Sequence, residues 1–488
     1  MRAPRKRLTL IAGFVLTAIL GLSCTNDEPK PPRIGWNAPR PRVVSDWRRE
    51  SPFTYNLYSD VDGSGRFVAF TSSVRDGPSG VYLRNMRTSA IIRLDVWYTG
   101  NQPVPGNRAD ERYYRLESAS PAISTNGRFV AFHSASPYLV RGDGNGSSDV
   151  FVYDRKSSRL RLVSTNSEGA QADGDSVYPS ISEDGRFIAF SSRADNLVDD
   201  VRTHRMEIYV KDTRTGRVQL IGGGVRFTEG RRGTALGASI ADDGSRVAFT
   251  SNADDLVPRD DNRARDAFVA ALDSGEISRV SISSDGDELD PFEYEESASS
   301  YRDGVGDVAI SGDGQTIAFS THANGLVPED DNNNVDVYVH DLRTRRTERV
   351  SITSNGDDAY RNNDRDCGGN GQCFGFIASH SPSLTHDGRY VAFISGAPLL
   401  DPRDIDRPNG TDEDVFVHDR DTGLTLLVNR TFRGVPAPGS NLYAGSISGD
   451  GRWISFSSDG RLLPKKRGRG ENGDIYLQEL PVPFVTLD

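Results

Sequence analysis

Cysteine, methionine, tryptophan and histidine are all scarce in this chain: three, three, four and seven among 488 residues. No apolar stripe of helical period appears after the first 23 residues, which argues against helical architectures and for an all-β protein rich in turns. The few histidines form no repeated His/Asp/Glu constellation for a metal, and none pairs recognisably with a serine nucleophile. Cys367 and Cys373 stand in Cys-Gly-Gly-Asn-Gly-Gln-Cys, with no Cys-x-x-Cys and too few neighbouring ligands for a metal. In an exported protein that spacing is most simply a short disulfide closing a loop. Positive charge is also short. Lys and Arg number 58 against 69 Asp and Glu, a formal net charge of −11, so nucleic acid and anionic lipid surfaces are repelled and cations or basic partners favoured.

Glycine, by contrast, is abundant at 49, and much of it recurs in a repeat. Ser-x-Asp/Asn-Gly-Arg-[FY]-[VI]-Ala-Phe-x-Ser returns seven times, clearest at Gly127 to Phe132, Gly185 to Phe190 and Gly388 to Phe393. Weaker copies begin at Gly65, Gly244, Gly314 and Gly451, giving spacings of 58 to 74 residues. Each is followed by a motif such as Asp149-Val150-Phe151-Val152-Tyr153-Asp154. A period of that length holds four strands with their loops, so the sequence predicts an all-β, seven-bladed β-propeller of four-stranded antiparallel blades over 42–488. In the third copy, Tyr178 to Ser182, Arg186 to Ser192, Glu207 to Lys211 and Arg217 to Ile221 are the expected strands. Gly185 is expected at positive φ in the first tight turn. Two segments compete to complete the last blade, Arg42-Val43-Val44-Ser45 and Pro483 to Leu487, and the N-terminal one is preferred.

Antiparallel strands put both tight turns of a blade on one face and the long connections on the other. All three large insertions, Asp95 to Glu117, Ser284 to Asp307 and Asn355 to His380, fall on the long-loop face. Loop elaboration of that kind marks a binding side. Its aromatic residues Tyr113, Tyr114, Phe292, Tyr294, Tyr301, Tyr360, Phe374 and Phe376 can stack on sugars or anchor a protein.

Met1 to Leu22 combines a basic start with a short apolar run and reads as an export signal within 1–23. Leu20-Gly21-Leu22-Ser23-Cys24 resembles a bacterial lipoprotein signal, with Cys24 as the lipidated residue, although Gly21 and Leu22 depart from its usual order. A Pro-rich polar tether over 24–41 then suits an outer-membrane lipoprotein facing the periplasm or the surface, touching membrane only through its lipid.

The paired motifs, Ser-x-Asp-Gly-Arg-x-[VI]-Ala-Phe and Asp-[VI]-[FY]-Val-x-Asp, resemble the TolB-like, WD-repeat-like propeller repeats of bacterial envelope proteins. The resemblance spans roughly 42–488. It implies the propeller fold, but propellers of this kind serve as docking platforms, peptidase accessory domains and lipoproteins, so it does not imply one activity. No α/β-hydrolase segment or Gly-x-Ser-x-Gly elbow follows the last repeat, and Arg-[FY] after Asp-Gly departs from the sialidase Asp-box.

An acidic pattern, Asp-x-Asn-x-x-x-Asp, recurs between second and third strands as Asp143, Asn145, Asp149, as Asp260, Asn262, Asp266, and as Asp330, Asn332, Asp336. Such oxygens can wrap Ca²⁺ or build an Asx turn with the last carboxylate on strand-entry amides. Breaks at Val201 and Arg205, and stretching to Asp404, Asp406 and Asp414, favour the turn. No cofactor other than Ca²⁺ is suggested. Asp287, Glu288, Glu293, Glu295 and Glu296 read as a solvated acidic loop. His340 and His418 fill the slot of Tyr153 and read as packing variants, while His133 and His322 are expected just past second strands. The expectation is a non-enzymatic, exported, monomeric docking propeller that binds a protein or envelope polymer on its acidic loop face. Two alternatives are a carbohydrate-active hydrolase or lyase with its site in the central funnel and a calcium-stabilised surface protein.

Overall fold

The computed structural model describes residues 33–34, 41–45, 53–74, 79–99, 102–104, 118–199, 205–222, 235–289 except 263, 304–359 except 324, 329, 331 and 333, 378–400 except 398, 413–430, 442–458, 462, 474–484 and 486–487. Within them the chain forms seven four-stranded antiparallel sheets. Their first strands, Phe53–Val61, Ser118–Ile123, Ser176–Ile181, Ala235–Ile240, Val305–Ile310, Ser379–Leu384 and Leu442–Ile447, pack side by side around one axis. Blade 3 continues through Phe187–Ser192 and Glu207–Asp212 to an outer strand at Val218–Ile221, within a residue or two of the sequence reading.

Each piece of the repeat has a physical task. In blade 2 the Ser124 hydroxyl accepts the Phe129 amide at 2.9 Å while Asn126 Oδ1 accepts the Arg128 amide, so the side chains cap the tight turn. Gly185 takes φ 71° in the equivalent turn of blade 3. A Cβ there would stand 2.2 Å from the Phe129 ring of blade 2, so the glycine of one blade and the aromatic after the arginine of the previous blade form a single seam. Arg128 donates through Nε and Nη2 to both oxygens of Asp154 at 2.9 and 2.8 Å, tying the first motif to the end of the second; Arg186 with Asp212 and Arg389 with Asp419 repeat the pairing. Two parallel charge-assisted bonds fix the strand pair in register.

The closing phenylalanine stacks on the aromatic of the third strand in every blade: Phe70 on Tyr82, Phe132 on Phe151, Phe190 on Tyr209, Phe249 on Phe268, Phe319 on Tyr338, Phe393 on Phe416 and Phe456 on Tyr476, with centroids 5.6 to 6.1 Å apart. Burying each such side chain contributes roughly 1.5–3 kcal/mol and stacking about 0.5–1.5 kcal/mol more. Seven apolar clusters result, each joining two adjacent blades, including blade 7 to blade 1 through Ile475, Leu477, Val61 and Phe70.

Arg42–Val43 is the outer strand of blade 7 and pairs with Asp474–Glu479, so the N-terminal segment closes the ring. Ser45 repeats a clamp found elsewhere. Its hydroxyl donates to Asp474 at 3.0 Å and accepts the Ile475 amide at 3.1 Å, as Ser281 does with Asp266 and Ala267, and Ser351 with Asp336 and Val337. The competing C-terminal segment goes elsewhere: Thr486–Leu487 pairs with Arg33–Ile34, inside the stretch read as a tether, and Phe484 packs on Tyr390.

Candidate binding site on the propeller axis

The leader, Cys24, Cys367, Cys373 and all eight loop aromatics (Tyr113, Tyr114, Phe292, Tyr294, Tyr301, Tyr360, Phe374 and Phe376) lie outside the described residues. All three insertions begin later than their sequence boundaries; in the third, Asp358 accepts from Asn332 at 3.2 Å and Ala359 is buried in the core. Asp95 belongs to blade 1, where it accepts the Val81 amide and pairs with Arg93 at 2.9 Å. Glu288, read as part of a solvated loop, accepts from Arg279 at 2.8 Å.

The acidic pattern forms three related clusters. Asn145, Asn262 and Asn332 each accept a backbone amide two residues on and donate to the last aspartate of their set, at 3.0, 3.2 and 2.9 Å. This is the geometry of an Asx turn. In blade 5 the Arg349 guanidinium sits 3.2 Å from Asp330 and 3.3 Å from Asp336. In blade 4 Arg279 lies 3.1 Å from Asp260 and 3.6 Å from Asp266. Blade 2 has Leu162 at the matching strand position, and the Gln171 amide instead donates to Asp143 and Asp149, both at 2.8 Å. Burial pushes Asp149 and Asp266 up to about 6 and Asp336 to about 7. Among the described residues no group of three or more His, Cys, Asp or Glu is disposed to hold a metal ion.

The axis encloses a cavity of about 400 Å³ walled by the first strands. A bulge interrupts the pairing of every first strand with its second, for example between Val177 and Ser180 and between His380 and Ser383. Pro121, Pro179 and Pro382 sit at these bulges, where a missing amide proton breaks no ladder bond. Just beyond, a ring of mostly small residues surrounds the axis: Asp60, Ala122, Ser180, Ser239, Ala309, Ser383 and Ser446. Where the side chain has an oxygen it reaches the next blade. Ser180, Ser239 and Ser383 accept the amides of Ile240, Ile310 and Ile447 at 3.1 to 3.2 Å, and Asp60 accepts that of Ile123 at 2.7 Å. Asp60 also accepts the Ser446 hydroxyl at 2.5 Å, and burial holds its carboxyl up at about 6.

Three residues deeper lie Gly63, Thr125, Glu183, Asp242, Gly312, His386 and Gly449, the variable positions of the tight turns. Thr125 Oγ1 donates to Asp242 Oδ1 at 2.7 Å, and His386 Nδ1 lies 2.7 Å from Asp242 Oδ2. These residues belong to blades 2, 4 and 6, which are not neighbours, so the three side chains meet across the axis. A Cβ on Gly312 would stand 2.2 Å from Asp242 and one on Gly63 2.7 Å from Thr125. Those glycines supply the room. The hydrogen bond to Asp242 raises the affinity of His386 for its proton.

Towards the long-loop end, two residues before the ring of small side chains, Tyr58 and Tyr178 line the cavity and remain 38% and 50% exposed. Tyr178 takes φ 53° and meets the His133 ring edge-on, centroids 5.6 Å apart. His133 lies within its strand, Phe129–Ser134, not past it, and burial lowers it to about 4. His340 and His418 are packing residues as read, each buried with Nδ1 on a threonine, Thr347 at 2.8 Å and Thr425 at 3.0 Å. Asp60, Tyr58, Tyr178 and the Thr125, Asp242, His386 contact escaped the sequence reading. Aligning the seven copies on their turn glycines exposes them as the columns where large or ionisable residues replace Ser, Ala or Gly.

No family model matches the chain, and a search of curated proteins finds no relative. Solved structures do resemble it. A structure named as a TolB from Agrobacterium tumefaciens shares 16% identity, with 83% of this chain and 98% of that one covered at a TM-score of 0.39. TolB from Acinetobacter baumannii shares 12%, covering 85% and 79% at 0.38. The β-propeller domain of the trilobed protease from Pyrococcus furiosus shares 11%, covering 90% and 97% at 0.48. By its blade topology and its repeat, the chain is in fold a seven-bladed β-propeller.

Proposed function

We propose that the chain is an exported, non-enzymatic binding propeller that receives a protein or envelope polymer on its long-loop face, above the axial cavity. The observation that carries this reading is the cavity wall. It is built mainly of small side chains, and both of its carboxylates are committed: Asp60 to Ile123, Val61 and Ser446, and Asp242 to Thr125 and His386. Acid or base catalysis needs a carboxylate or imidazole able to reach substrate; both carboxylates are engaged in these bonds, and the more exposed His386 imidazole is held by Asp242. Export is supported by the basic and apolar order of Met1 to Leu22, with Cys24 as the proposed lipid attachment.

The test is capture from envelope extract by the full chain, beside a variant with 361–376 replaced by a Gly-Ser linker. The deletion must stop there because Ser379 already belongs to the first strand of blade 6. The variant is expected to lose a component that the full chain retains. Equal capture by both, or by neither, overturns the role of this insertion.

A further inference from the structure

We propose that the axial cavity is a binding site for a neutral saccharide, with Tyr58 and Tyr178 as stacking surfaces and the hydroxyls of Ser180, Ser239 and Ser383 as donors. This rests on the reading of the chain as a binding propeller and names the chemistry its cavity takes.

Four observations lead there. First, Tyr58 and Tyr178 occupy the same position in blades 1 and 3, on either side of Ser120, so both rings stand at one height on the cavity wall. The chain buries an aromatic pair in every blade yet leaves these two rings 38% and 50% exposed. Tyr178 stands at φ 53°, a left-handed conformation that Ser120, Gly237 and Ser381 share at the equivalent bulge of blades 2, 4 and 6, so the bulge of the scaffold sets how this ring leaves its strand. An amphipathic ring of this kind offers an apolar face to the C–H face of a pyranose. Second, the hydroxyls of Ser180, Ser239 and Ser383 each use a lone pair on an isoleucine amide of the next blade. A hydroxyl that accepts still has its own proton to give, and all three line the cavity.

Third, among the described residues the lining contains no Lys or Arg, and its imidazole, His386, is already paired with Asp242, so an anionic ligand finds no uncommitted counter-charge, while the bonds Asp60 and Asp242 already make leave little for a cation. A neutral polyol matches that balance. Fourth, an extended peptide cannot add as an extra strand to the axial edges. The first strands are bulged, three carry proline at the bulge, and the isoleucine amides that such a strand would need already donate to the neighbouring blade. The cavity volume, about 400 Å³, lies in the usual range for small-ligand sites.

The experiment titrates the full chain with cellobiose and with N,N′-diacetylchitobiose, two neutral, all-equatorial disaccharides, and follows saturation transfer from protein to sugar protons. At least one should bind, with its ring C–H protons the most strongly saturated. Tyr178→Ala should weaken binding about three- to tenfold, Ser239→Ala should weaken it to a smaller extent, and glucuronate should not compete. Unchanged melting curves confirm that the variants fold. Absence of transfer to both disaccharides, or affinity unaltered in both Tyr58→Ala and Tyr178→Ala, overturns the site. If it falls while the loop variant still loses its envelope component, the docking reading stands alone. If disaccharide binding persists but that component is captured equally by both chains, the docking reading of the insertion falls instead.

Discussion

A proton on His386 is held by one contact across the propeller axis, and its consequence for stability has a definite sign. The imidazole has a folded-state pKa above the ordinary 6.5 because Asp242 accepts its hydrogen bond. A raised value means the contact stabilises fully below 6.5 and the benefit is lost as pH rises through the folded value. The melting temperature should therefore fall between pH 6 and pH 8, and His386→Ala should flatten that fall; equal slopes for the two proteins count against the contact. Gly185 is a second single-residue dependency. Gly185→Ala puts a Cβ at positive φ and 2.2 Å from the Phe129 ring, a combination expected to cost about 2–4 kcal/mol. Denaturant unfolding measures it, and Phe129→Leu in the same chain should recover part of the loss.

Within a blade, the outer strand supplies the charge that the acidic turn needs. Arg349 is almost fully buried between Asp330 and Asp336, and removing one partner of such a group typically costs about 3–5 kcal/mol. Arg349→Met should show that loss at pH 8 and a smaller one at pH 5. Burial already holds Asp336 up to about 7, so its protonated form favours the folded state, and that stabilisation fades as pH rises through the folded value. The same loss at both pH values would mean that packing rather than charge dominates. Much of this was legible in the sequence: the turn glycine, the serine cap and the recurring Asp-x-Asn-x-x-x-Asp are local devices spaced along the chain. The partner of the acids was not, because Arg349 lies 19 residues from Asp330 and only the folded blade brings them together. The axial contact was less legible still, since Thr125 and Asp242 are 117 residues apart and occupy columns that vary from copy to copy.

For the molecule as a whole, ring closure depends on the few residues at 42–45. Ser45 and Ser351 make equivalent clamps, yet one closes the ring and the other completes an internal blade. Each serine-to-alanine change should cost about 1–3 kcal/mol, but the footprints should differ under hydrogen exchange. Ser351→Ala should loosen blade 5 alone, whereas Ser45→Ala should loosen blades 7 and 1 together. Identical local footprints would show that the ring does not depend on its N-terminal strand. In sequence Arg42-Val43-Val44-Ser45 is like Arg279-Val280-Ser281 and Arg349-Val350-Ser351, and the clamp is the reason the likeness exists.

Seven is an odd number, and the meeting of Thr125, Asp242 and His386 joins alternate blades only. Counting 2, 4, 6 around an odd circle leaves two adjacent members untied, and they are blades 7 and 1, each carrying glycine at that level, Gly449 and Gly63. The tripod thus spans the arc from blade 2 to blade 6 and leaves its gap where the two chain ends meet. Pulled from its N-terminus, the molecule should yield in two steps: blade 7 parts from blade 1 at low force, and the braced arc gives way only later.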